Sequence, residues 1–130
     1  MAIKFDKNNL EQLKSLEWLE TNGLGGWAMG TLAGMNTRKY HSWLSVSYNP
    51  PTDRSVLIPK LTESLSKEGE YYELDSNDFG DVIHPKGWSF LHKFEKELYP
   101  KWTFKTPLGK LTRELIMPWG KNVTIIRYRF

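Results

Sequence analysis

The sequence contains no cysteine, so disulfide frameworks and thiolate chemistry are excluded. Its three histidines, His41, His84 and His92, are scattered, and no pair of them has the spacing of a zinc site. No apolar run approaches the roughly 20 residues needed to span a bilayer. The opening residues, MAIKFDK, lack the apolar stretch of a signal peptide. Net charge is only +3, from 18 basic and 15 acidic residues, and the lysines are dispersed, which speaks against a nucleic-acid partner. The G-x-x-x-x-G-K-[ST] phosphate loop is missing. Gly23-Leu24-Gly25-Gly26-Trp27-Ala28 fits a loose dinucleotide-binding pattern, but no strand precedes it and no helix follows it, so the match is set aside. The expectation is a chain with no metal, no cofactor and no membrane partner, suited to a reducing cytoplasm.

What is present is aromatic. Six Trp, six Tyr and six Phe are many for 130 residues, and they favour a β-rich core with a few rings left for a binding face. The length fits one domain. Asn8 or Asn9 can cap a short helix, with Glu11 in its first turn and Leu10, Leu13 and Leu16 at helical spacing. From Asn22 onward the signals are β. Residues 26–34 read as a strand with Gly26, Gly30 and Gly34 on one face. Residues 38–48 alternate as its antiparallel partner, with Tyr40, Ser42, Leu44, Val46 and Tyr48 opposite Lys39, His41, Trp43, Ser45 and Ser47. Asn49-Pro50-Pro51 breaks the ladder. Residues 55–61 form a further strand that Pro59 assigns to an edge or a bulge. Residues 61–65 and 71–74 flank a Lys67-Glu68-Gly69 turn. Residues 75–87 read as a surface loop. Residues 88–94, 101–105, 110–117 and 123–130 read as strands, with turns at Pro107-Leu108-Gly109 and at 118–122. Turns at this spacing predict an all-β antiparallel sandwich.

Residues 17–43 stand apart. They hold five of the ten glycines, three of the six tryptophans and the run Thr37-Arg38-Lys39-Tyr40-His41. Asn22-Gly23 is a tight-turn signal, because both residues tolerate positive φ. Glycines weaken a strand, so three on one face mark either a close approach by a backbone, a ring or a ligand, or relief of crowding in a curved sheet. Ser42 and His41 are neighbours that a strand would point to opposite faces, which argues against a nucleophile–base pair.

Glu17-Trp18-Leu19, Thr21-Asn22-Gly23-Leu24-Gly25-Gly26-Trp27, Gly30-Thr31, Gly34 and Asn36-Thr37-Arg38-Lys39-Tyr40-His41 closely resemble the amino-terminal domain of bacterial and archaeal glycogen debranching enzymes, the amylo-α-1,6-glucosidase type. Pro50-Pro51, Arg54-Ser55-Val56-Leu57-Ile58 and Lys60-Leu61-Thr62-Glu63 match the next block. Phe94, Tyr99-Pro100-Lys101-Trp102 and Asn122-Val123-Thr124 match more loosely. The sequence departs from the family at Ser42, Met29 and Pro59. The resemblance implies a supersandwich-like β domain. It also implies further strands and then a larger catalytic barrel of paired helices, so that the 130 residues are either a truncated piece or a short stand-alone product.

In that family the catalytic acids belong to the barrel. Hydrolysis is therefore not expected from these residues alone, and of the carboxylates only Glu17, Glu20 and Glu63 lie among apolar neighbours within the matching blocks. What remains is recognition. Rings stack on the C–H faces of a pyranose, and Asn, Arg, His and Tyr bond its hydroxyls. Trp18, Asn22, Trp27, Arg38, Tyr40 and His41 are the candidate set for a branched α-glucan cleft or for the interface with the barrel. The plainer alternative buries Trp18 and Trp27, caps the sheet with Tyr40 and pairs Arg38 with Glu17 or Glu63. A stand-alone carbohydrate-binding or protein-interaction module is the rival function.

Overall fold

The computed structural model describes residues 2–130. Chain order is β1 (Ala2–Ile3), α1 (Leu10–Ser15), β2 (Glu17–Thr21), β3 (Trp27–Thr31), β4 (Ser42–Asn49), β5 (Thr52–Ile58), β6 (Ser64–Lys67), β7 (Glu70–Glu73), β8 (Ser76–Asp78), β9 (Ile83–Lys86), a 3-10 turn (Gly87–Phe90), β10 (Leu91–Lys96), β11 (Pro100–Thr106), β12 (Gly109–Ile116) and β13 (Ile125–Arg129). The fold is all-β and antiparallel, as the turn spacing predicts. A five-stranded sheet runs β1-β10-β11-β12-β13, and a four-stranded sheet runs β2-β3-β4-β5. Two hairpins, β6-β7 and β8-β9, complete it.

The helix forms where its cap allows. The Asn9 side chain accepts from the Gln12 N–H at 3.1 Å, and Leu13 is fully buried against the core. The sheets meet through aromatic rings. Trp18 on β2 meets Trp102 on β11 edge to face, with centroids 5.0 Å apart, and Phe94 on β10 packs on the same Trp102 ring. Arg113 on β12 is buried among them, its guanidinium carbon 4.3 Å from the centre of Trp102, 4.9 Å from Trp43 and 5.2 Å from Phe104. A buried guanidinium needs a counter-charge. Glu63 supplies it through one carboxylate oxygen, and its other oxygen accepts from the Tyr128 hydroxyl.

Several boundaries differ from the expectation. Residues 17–21 are a strand, although β signals were expected only from Asn22 onward; Trp18 turns inward and Leu19 outward, the period-two pattern of β2. The glycine-rich strand ends at Thr31, whose hydroxyl donates to the Met35 carbonyl at 2.7 Å and starts a turn. Residues 38–41 are not strand, and β4 starts at Ser42. Its expected alternation is also lost, because Ser42 to Ser47 are buried on both faces. The expected surface loop at 75–87 contains the β8-β9 hairpin. The strand expected from Trp88 begins as the 3-10 turn, where the Gly87 N–H donates to the Asp75 carbonyl and the Trp88 N–H to the Ser76 hydroxyl instead of to a ladder partner. The β6-β7 hairpin and the edge position of β5 are as expected, but β5 runs over Thr52–Ile58 instead of 55–61 and β6 over Ser64–Lys67 instead of 61–65.

Candidate functional site

The turn before β4 is built on one histidine. His41 Nδ1 accepts two backbone N–H groups, from Thr37 at 2.9 Å and Arg38 at 3.1 Å. With Nδ1 an acceptor, the ring proton belongs on Nε2, which donates to Glu17 Oε1 at 3.1 Å. Arg38 Nε reaches the same Glu17 oxygen at 3.2 Å. The His41 side chain is fully buried, whereas Arg38 is 65% exposed. His41 thus shapes the turn from inside, and Arg38 is the group offered to solvent. The Ser42 hydroxyl pairs with that of Ser45 at 2.6 Å, not with His41.

Beside this turn the outer face of the four-stranded sheet forms a groove of about 770 Å³, lined by Leu19, Thr21, Trp27, Met29, Tyr40 and Arg54 with Gly25 and Gly26. Trp27 Nε1 donates to the Tyr40 carbonyl at 3.0 Å, and the two rings meet edge to face at 6.3 Å. Arg54 lies over the Trp27 ring at 5.5 Å, and Lys39 beside the Tyr40 ring at 5.8 Å. Tyr40 is 57% exposed.

The structure brings Trp27, Arg38, Tyr40 and His41 together and takes the other two candidates inward. Trp18 is core, facing Gly30 across the β2-β3 ladder, where a Cβ would lie 3.1 Å from the indole. Asn22 is fully buried. Its side-chain oxygen accepts from Leu24 N–H at 2.9 Å and Gly26 N–H at 3.1 Å, and its amide donates to the Lys121 carbonyl at 3.1 Å and to Asn122 Oδ1 at 2.8 Å. It is a staple between two turns. The glycine face has a matching account. Gly30 is approached by a ring and Gly26 by the Ser45 carbonyl, while Gly34 makes a turn at φ +80. Trp119, Met29 and Arg54 escaped the sequence reading as surface candidates. Trp119 carried a signal, an isolated aromatic inside a Pro-Trp-Gly turn.

Among the described residues no group of three or more His, Asp or Glu is placed to hold a metal ion. No helix among them is long and apolar enough to cross a membrane. The family model for the amino-terminal part of glycogen debranching enzymes, described as "Glycogen debranching enzyme N terminal", matches residues 16–130. The chain belongs to that family. The match covers every element of the debranching-enzyme N-terminal domain from β2 to β13, including the His41 turn, the Trp27–Tyr40 groove and the Asn22 staple. No curated protein and no solved structure matches the chain.

Proposed function

We propose that this domain packs on a catalytic barrel of paired helices, in the same or a companion chain, and forms a wall of the cleft that receives branched α-glucan. The setting is cytoplasmic, in keeping with a sequence free of cysteine. The groove on the outer face of the four-stranded sheet is the observation that carries the reading. Leu19 stands 46% exposed and Tyr40 57%, with Met29 and Trp27 between them. Contiguous apolar surface of this kind marks a contact. An amphipathic helix fits such a groove, and Arg54 supplies a cation at its rim. The turn that delivers Tyr40 also presents Arg38, whose planar fork suits paired contacts with glucan hydroxyls or barrel carboxylates. The bond-breaking acids reside on the barrel.

The test uses a complete debranching enzyme that carries this domain. Arg38→Ala and Tyr40→Ala are each expected to cut turnover on branched glucan about tenfold, with the melting temperature held. Unchanged kinetics in both variants rejects the reading. The exposed Trp27–Tyr40 pair favours a second one, a stand-alone glucan-binding module. That rival predicts glycogen retention by the isolated chain that disappears in Tyr40→Ala; docking on a barrel predicts that Tyr40→Ala leaves retention as it was.

A further inference from the structure

We propose that the Trp119 indole is a stacking platform for one pyranose of an α-glucan chain, separate from the Trp27–Tyr40 groove. The ligand class rests on the reading of this domain as part of a glucan cleft. Trp119 lies in the 118–122 turn between β12 and β13 and is 77% exposed.

The ring is nonetheless held. Its six-membered part rests on Gly23, where a Cβ would fall 2.5 Å from Trp119 Cε2. The turn carrying it is fixed by the buried Asn22, whose carbonyl accepts from Gly120 N–H at 2.6 Å and whose amide reaches Lys121 and Asn122. One side of the indole is therefore seated on backbone and the other is open. A ring immobilised before binding loses little freedom when a ligand arrives.

The surroundings choose between ligand classes. A protein anchor sits among other apolar and aromatic side chains, with charged residues, lysine included, depleted around it. Trp119 is instead flanked by exposed Gly120, Lys121 and Asn122. A sugar needs an open ring face and hydrogen-bonding groups at its edge. Lys121 offers an ammonium, and Asn122, whose side-chain oxygen is taken by Asn22, offers its amide nitrogen.

The experiment is an NMR titration of the 130-residue chain with maltoheptaose, following the indole N–H signals. The signal missing from Trp119→Ala should shift saturably, and Trp119→Ala should weaken binding about tenfold or more. Trp119→Phe keeps a ring and should bind within a few-fold of the parent. Tyr71→Ala, which removes an exposed ring on β7, should bind as the parent does. An unmoved Trp119 signal, or equal affinity in Trp119→Ala, overturns the proposal. So does a Trp119→Ala chain that still binds maltoheptaose but no longer associates with a catalytic barrel, since the ring is then a protein anchor. Failure here leaves the docking reading standing, because that reading is scored by Arg38 and Tyr40 in the activity of a complete enzyme.

Discussion

The side-chain amide of Asn22 donates to the side-chain oxygen of Asn122 at 2.8 Å, joining two turns 100 residues apart. Everything else the Asn22 side chain can do is also used, in bonds to Leu24, Gly26 and Lys121. The same residue that closes the β2-β3 loop thus ties it to the turn between β12 and β13. A residue so placed is unusable as a sugar ligand but decides the position of those that are exposed around it.

Asn22→Ala should destabilise the fold by about 1–3 kcal/mol, because the buried Gly26 N–H loses its side-chain acceptor. Asn22→Asp keeps the acceptors but sets a carboxylate against the Lys121 carbonyl and the Asn122 oxygen, so it should also destabilise. Urea unfolding reads both, as a lowered midpoint at constant slope. An Asn22→Asp chain as stable as the parent would show that the donor half of the staple contributes nothing.

Glu17 Oε1 serves two cations or donors of different standing, His41 from within and Arg38 from solvent. Arg38→Ala should cost about 0–1 kcal/mol, the ordinary worth of an exposed ion pair. His41→Ala should cost about 2–3 kcal/mol, because Thr37 and Arg38 N–H both lose their acceptor. Thermal unfolding of the two variants side by side gives the ratio. The asymmetry has a kinetic counterpart: loss of activity in His41→Ala accompanies loss of the turn, whereas loss in Arg38→Ala does not.

Fold class, helix cap and most hairpins were legible because each depends on neighbours in sequence: Asn9 before Glu11, Glu68-Gly69 between two short strands, Pro59 at an edge. The Thr37–His41 run was legible as special, but its alternation with Ser42 to Tyr48 read as one strand. What breaks that strand is the His41 ring, which takes backbone N–H groups away from the ladder, and no pattern of polarity announces that. β2 was hidden for a similar reason, since Leu13 and Leu16 continue a helical spacing that the chain abandons once Trp18 meets Trp102. Trp18 read as cleft or core and Asn22 as a cleft group, because an aromatic and an amide beside glycines serve equally as ligand or as packing. Only their partners, Trp102 and Asn122, some 84 and 100 residues away, separate the two roles.

The buried Arg113–Glu63 pair and the half-exposed Tyr128 bonded to it make stability depend on pH in the alkaline range. Removing one partner of a buried pair strands the other, so Arg113→Ala or Glu63→Ala should cost about 3–5 kcal/mol. Tyr128 is the member that titrates. Burial, and then its bond to the Glu63 carboxylate, push its phenol well above the ordinary value of 10.0. The raised folded value means that the unfolded chain gives up this proton first. Stability from Tyr128 is therefore complete below about pH 10 and declines as pH rises beyond it. Tyr128→Phe should remove that component, so its midpoint of unfolding should fall less steeply than the parent's between neutral pH and pH values above 10, while starting lower because the hydrogen bond to Glu63 is gone. Parallel curves for the two proteins would mean that the phenol keeps its proton equally in both states, and that Glu63 is held by Arg113 alone.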